Sequence, residues 1–249
     1  MSILYQPKGR AAEYALLAAS GFLGCPHGCQ YCFNPEGLHK NMEEFGKVKH
    51  RYKVLEILEE DLKRLTDPAL KNERILLSFT CDPYPSGIDT KVTRDMIELI
   101  HRYGHPVCIL TKGGSRSLRD LDLLGPGDQY ATTLTFTDET LRQKYESGAA
   151  PMQERIAVLQ EAHDQGIFTW VSCEPVVMPR QTLQLIRDTA RYVDHYKVGK
   201  LNHNFPDKPQ YIPEAAGIDW AMFGSEAMDL LQQLGKSYYI KNDLRRCMA

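Results

Sequence analysis

The sequence contains no run of eighteen apolar residues, no Pro/Gly/Ser-rich linker, no internal repeat and almost no net charge. The absent apolar run excludes a helix that spans a membrane. The absent linker leaves all 249 residues to be read as one domain, 1–249, with a short C-terminal helical element over about 219–249. Thirty basic against thirty-two acidic residues give a formal charge of −2, so no whole-chain field draws the protein onto nucleic acid or an anionic membrane. A local patch stays open. An even set of cysteines is also missing: the seven lie at 25, 29, 32, 81, 108, 173 and 247, with three crowded into eight residues, which is not a disulfide framework. What remains is a globular composition, 43% hydrophobic and 25% charged, enough to bury about 70–75% of the unfolded surface.

At the N-terminus Lys8 and Arg10 precede the mostly apolar run 14–24 and then Cys25, which imitates a lipoprotein signal. Glu13 at the head of the run, Phe22 within it and two further cysteines at metal-ligand spacing oppose that reading. The expectation is a cytoplasmic protein with reduced thiols, available as ligands.

Six β-rich apolar runs, 14–22, 74–80, 106–111, 130–136, 168–174 and 195–199, alternate with amphipathic stretches at 54–65, 92–103, 151–165 and 182–192. Near-continuous apolar strands between helices predict an α/β fold with a parallel sheet, either open and doubly wound or a full or partial (β/α) barrel. In both, chemistry collects at the C-terminal ends of the strands. Those ends carry Cys25 to Pro35, Thr80-Cys81-Asp82, Thr111-Lys112-Gly113, Thr135 to Asp138, Cys173-Glu174 and Lys200 to Asn204. A helix over 219–234 and a short closing element over 238–246 complete the chain. Cys108 and Cys173 read as buried small hydrophobes, and Cys247 as part of a frayed tail.

In Cys25-Pro-His-Gly-Cys29-Gln-Tyr-Cys32, Pro26 and Gly28 make the segment a wrapping loop, and three thiols converge. A structural zinc would need a fourth ligand, His27 or His39, giving a Cys₃His site in a module that binds nucleic acid or protein. A [4Fe–4S] cluster held by Cys25, Cys29 and Cys32 would leave one iron open for an external ligand.

The CxxxCxxC spacing, with Tyr31 before the last cysteine and a strand before the first, resembles the radical S-adenosylmethionine superfamily. The resemblance implies a partial (β/α)₆ TIM-like barrel and a [4Fe–4S] cluster whose open iron binds S-adenosylmethionine. It also implies a flavodoxin- or ferredoxin-type electron donor. The implied activity is reductive cleavage of S-adenosylmethionine to a 5′-deoxyadenosyl radical that abstracts hydrogen from a substrate, whether nucleic acid, peptide or small molecule.

The strings from Thr80 to Asp89, Ile109 to Lys112, and Thr135 followed by Glu146 and Arg155-Ile156 are similar to the spore photoproduct lyase-like group. That likeness implies Tyr31 near the adenine, Cys81 near the cofactor, and Lys112 with Thr135 on its carboxylate or ribose. Asp82 is either a turn-former before Pro83 or the partner of the amino group, Arg155 joins this set, and Glu174 is the candidate for the ribose or the substrate side, with Asn202, His203 and Asn204 at the same mouth. Two departures set the sequence apart from the lyase itself. Phe33 stands where the lyase has a tyrosine, and Phe79 where it has a hydrogen-donating cysteine. Because strand side chains alternate, Cys81 shares a face with Phe79 and is placed either to substitute as the catalytic thiol or to stand as a small cofactor-contacting or packed thiol.

Overall fold

The computed structural model describes residues 2–38, 40–202, 204–208 and 211–249. His39 and His203 therefore lie outside the described residues. The main sheet has eight strands: β1 (Leu4–Tyr5), β2 (Leu17–Ala19), β5 (Ile75–Leu77), β6 (Val107–Thr111), β7 (Gln129–Thr133), β8 (Phe168–Val176), β9 (His195–Lys200) and β10 (Ser237–Ile240), in that spatial order. From β2 to β10 every neighbouring pair is parallel, and β1 joins antiparallel at the edge. A separate ribbon pairs β3 (Phe22–Leu23) with β4 (Lys49–His50).

All six expected strands are present, with two corrections. The run 14–22 is divided: Leu17–Ala19 enters the sheet, and after Ser20-Gly21 the chain leaves it to form β3. The closing element is not wholly helical, because Ser237–Ile240 pairs with His195–Val198 and extends the sheet before a short helix, Asn242–Arg245. Aromatic and β-branched Tyr238-Tyr239-Ile240 fit a pleated surface, and the helix Trp220–Gln233 supplies the crossover.

The helices are α1 (Asn34–Gly37), α2 (Met42–Gly46), α3 (Val54–Arg64), α4 (Lys91–Arg102), α5 (Glu139–Tyr145), α6 (Met152–Asp164), α7 (Pro179–Thr189), α8 (Trp220–Gln233) and α9 (Asn242–Arg245). In α3, Val54, Leu58 and Leu62 recur every four residues and are buried. Its outer face carries the pairs Lys63–Glu59 and Arg64–Glu60. Burying each such leucine is worth about 1.5–3 kcal/mol.

Strand alternation divides the interior in two. Ile75, Leu77, Val107 and Ile109 point to the helices and join the main core. Leu76, Cys108, Leu110, Ala131 and Trp170 point the other way, into a smaller cluster inside the curve of the sheet. The two sheet edges, β1 and β10, do not pair, so the barrel is partial. A 3₁₀ turn, Gly9–Glu13, crosses that gap: Glu13 accepts hydrogen bonds from Tyr239 Oη and the Asn242 amide, and Lys241 Nζ donates to the Arg10 carbonyl. Among the described residues, no helix is long and apolar enough to cross a membrane.

Candidate active site

The cysteine loop is clamped by backbone on both sides. The Cys25 amide donates to the Phe45 carbonyl, the Gln30 amide to that of Tyr145, and the Gly148 amide to that of His27. Cys29 forms an isolated bridge with Glu146. The approach is so close that a Cβ on Gly148 would meet the Pro26 carbonyl at 2.1 Å, and one on Gly24, whose φ is +76°, the Phe45 carbonyl at 2.6 Å. The loop thus presents Cys25, Cys29 and Cys32 to one cavity of about 470 Å³ at the C-terminal ends of the strands. Burial pushes the Cys29 thiol up to about 12 and that of Cys32 to about 11, whereas the hydrogen bond from Cys81 brings Cys25 down to about 6.

The same cavity is lined by Tyr31, Cys81, Asp82, Lys112 and Glu174. Asp82 ties two strand ends together, accepting from Thr111 Oγ1 at 2.6 Å and the Lys112 amide at 2.7 Å. Cys81 and Phe79 both reach the cavity, but not through strand alternation. β5 ends at Leu77, and Phe79 has φ +84°, an outlier for an aromatic residue, with its carbonyl held by the Asn34 amide group.

Thr135 and Arg155 stand behind the wall rather than on it, and both meet Glu146. The Glu146 carboxylate, fully buried, receives the Tyr31 hydroxyl, Thr135 Oγ1 at 3.0 Å and Arg155 Nη2 at 2.6 Å. Lys112 Nζ lies 3.8 Å from it and 5.1 Å from the Tyr31 ring centroid. Burial alone would raise this carboxyl, but Arg155 and Lys112 hold it at about 2. Glu146 is a site residue whose only local signal is the spacing Thr135, Glu146, Arg155, because a carboxylate on a turn becomes informative only once its partners converge.

Glu174 faces the cavity from β8 with both oxygens engaged, by Arg10, by the Tyr14 hydroxyl and by Lys241 Nζ at 3.0 Å. Arg10 also pairs with Asp243 at 2.9 Å. Its Nε is buried without a partner among the described residues. Asn202 lines the cavity and donates to Asp243, whereas Asn204 is bonded to Ile212 outside it. Cys108 and Cys173 are buried as expected. Cys247 is not in a frayed tail: it is half-buried, accepts from Lys200 Nζ at 3.6 Å and donates to the Asp243 carbonyl.

His27 is buried with both ring nitrogens facing other groups. Nε2 accepts from Arg116 at 3.1 Å, and Nδ1 faces Asp82 at 3.6 Å. The donor set, three soft sulfurs on one cavity wall with Cys81 hydrogen-bonded to Cys25 beside them, suits an iron–sulfur body.

The sequence model of the radical SAM superfamily matches residues 20–193. The chain belongs to that superfamily. Among curated proteins it is 28% identical over 187 residues to an uncharacterized protein of Mycobacterium bovis, covering 70% of this chain and 52% of the relative. An uncharacterized protein of Acidianus two-tailed virus is 26% identical over 184 residues, with 69% and 59% covered. The chain thus spans little more than half the length of these relatives. Among solved structures, a spore photoproduct lyase variant superposes with a TM-score of 0.71 at 16% identity, over 95% of this chain and 79% of that one. SuiB of Streptococcus suis bound to S-adenosylmethionine gives 0.65 at 11%, over 90% and 50%. At these identities the likeness is one of fold: a radical SAM domain with a mostly parallel, unclosed sheet. For a radical SAM protein the superfamily implies a [4Fe–4S] cluster and S-adenosylmethionine, and the cysteine loop lies within the matched segment.

Proposed function

We propose that the chain is a radical SAM enzyme in which Cys25, Cys29 and Cys32 hold three irons of a [4Fe–4S] cluster and the rest of the 470 Å³ cavity receives S-adenosylmethionine. The observation that carries this reading is the convergence of the three thiols, Lys112, Tyr31 and Asp82 on one cavity wall. When bound, the pair would supply one-electron reductive cleavage of the sulfonium and a 5′-deoxyadenosyl radical for hydrogen abstraction. The protein's own residues do the rest. Lys112 presents an ammonium to the methionine carboxylate and Asp82 a carboxylate to its amino group. Tyr31 offers a ring for the adenine, and Thr135 with Arg155 keeps Glu146 charged and fixed behind Lys112 and Tyr31.

A cavity of this size holds about one drug-sized ligand beside the thiols. The substrate therefore approaches from the β8–β10 side, where Arg10, Glu174, Lys200 and Lys241 line the wall. Electrons would come from a one-electron donor of flavodoxin or ferredoxin type. The alternative, a structural zinc, finds less support, because His27 is already engaged by Arg116 and faces Asp82. Metal and sulfide analysis of anaerobically purified protein tests the reading. Iron and acid-labile sulfide in equal amounts support it, and stoichiometric zinc without sulfide refutes it.

A further inference from the structure

A second cavity, of about 260 Å³, opens at the opposite end of the barrel. Its rim is the N-terminal end of the parallel strands, where Gln129, Phe168 and His195 begin β7, β8 and β9. In barrels of this kind the N-terminal face is ordinarily packed for stability and carries no chemistry. Here the floor is aromatic and the wall is cationic. Trp170 is held by a hydrogen bond from Nε1 to Cys108 Sγ at 3.3 Å, with the Tyr14 ring centroid 5.9 Å away and Phe168 exposed beside it at the opening.

Two cations line the same space, Arg74 and Lys197. Lys197 Nζ donates to the carbonyls of Glu13 and Tyr14 at 3.0 and 3.1 Å and lies 5.0 and 5.1 Å from the centroids of Tyr14 and Trp170. Arg74 gives Nε and Nη2 to the Gly127 carbonyl. Lys197 has one of its three N–H donors left and Arg74 three of five. Among the described residues neither is in an ion pair, although Glu73 contributes one carboxylate to the wall. His195, pulled down to about 4 by burial and by Lys197, is neutral at pH 7. Among the residues that line this cavity two cations thus meet one carboxylate, while Glu13, Glu174 and Lys241 act on Lys197 from outside the lining.

We infer that this lower cavity is a binding site for a small aromatic carboxylic acid, its ring against Trp170 and Tyr14 and its carboxylate on the free donors of Lys197 and Arg74. The carboxylate adds a counter-charge within hydrogen-bonding reach of the free donors of the two cations, which make no ion pair among the described residues, and the ring packs against the aromatic lining of the cavity. The volume, below the usual range for drug-sized ligands, limits the ligand to one or two rings. The site is separate from the cysteine-lined cavity and does not depend on any cofactor there. Among the described residues Tyr14 alone borders both, with its ring below and its hydroxyl above on Ser172 and Glu174.

Calorimetric titration of the purified chain with 4-hydroxyphenylacetate tests the site. Saturable binding is expected, with a Kd on the order of 0.1–1 mM. The uncharged 4-hydroxyphenylacetamide should bind at least about 10-fold more weakly, as should Lys197→Met toward the acid, and Arg74→Gln at least about 3-fold. Circular dichroism and the Tm establish that each variant is folded, and the more exposed Arg74→Gln serves if Lys197→Met is not. The chain has two tryptophans, so fluorescence excited at the indole band should change on titration and cease to change in Trp170→Phe. The inference is overturned by no saturable binding at 10 mM, by equal affinity for acid and amide, or by a fluorescence response that survives Trp170→Phe.

Discussion

At the C-terminal ends of the strands, charged groups are fixed by charged groups: Glu146 by Arg155 and Lys112, Glu174 by Arg10 and Lys241, Arg10 by Asp243. At the N-terminal ends, Lys197 and Arg74 rest on backbone carbonyls and aromatic rings, with no ion pair among the described residues. The same strands, β6 to β9, run between the two ends. The difference shows what each end is built for. A carboxylate buried among cations holds a rigid geometry, because moving either partner leaves an uncompensated charge. Cations on carbonyls and rings keep donors in reserve.

The upper end is broken most completely by removing its thiols. Cys25→Ala, Cys29→Ala or Cys32→Ala should lower 5′-deoxyadenosine formation by at least about 1000-fold, because the cofactor pair carries the chemistry. Titration of the lower cavity with 4-hydroxyphenylacetate should be unchanged in the same proteins, and a parallel loss there would erase the separation of the two ends.

Glu146→Gln comes next. It leaves Arg155, fully buried, without its carboxylate, at a cost of about 3–5 kcal/mol. Thermal unfolding should show the Tm lowered by about 10 °C. A shift within 2 °C would mean that the buried network is not what fixes Lys112 and Tyr31.

Lys112→Met should weaken equilibrium binding of S-adenosylmethionine by about 10- to 100-fold, the worth of a charge-assisted hydrogen bond, while iron and sulfide content stay constant. Loss of iron together with affinity would instead give Lys112 a role in holding the loop.

The smallest effect sharpens the contrast from below. Burial pulls Lys197 down to about 8. The groups facing it are Glu13 and Tyr14 before β2, Arg74 before β5, Cys108 on β6, Glu174 on β8, His195 on its own strand and Lys241 after β10. Burial keeps Tyr14 protonated well above that point and pushes Cys108 up to about 12, while His195 is neutral throughout. Lys197 is cationic below pH 8 and loses its proton above it. Affinity for 4-hydroxyphenylacetate should therefore fall by about 10-fold between pH 7 and pH 9. A flat profile would place the anion on Arg74 alone.

Much of the upper end was legible in the sequence because its signals are local. Three cysteines within eight residues, with Pro26 and Gly28 between them, define a loop whatever surrounds it. The parallel sheet was likewise written in runs such as Val107 to Thr111, apolar without interruption. Glu146 was not legible, since its partners come from the cysteine loop, the turn after β6, the end of β7 and α6, far apart in sequence. Phe79 reads as strand from the β-like propensity of 74–80, whereas the hydrogen bond from Asn34 holds its backbone at positive φ. β10 was hidden by its short length and by the helix-forming residues after it. The lower cavity left no motif at all, because strand alternation places Trp170 and Lys197 inside without saying that space remains between them.

Anaerobic reconstitution with iron and sulfide, followed by reduction in the presence of S-adenosylmethionine, tests the central assignment most directly. The expected product is a brown protein with about four irons and four sulfides per chain that forms 5′-deoxyadenosine and methionine. A colourless protein that holds one zinc and leaves S-adenosylmethionine intact would contradict it.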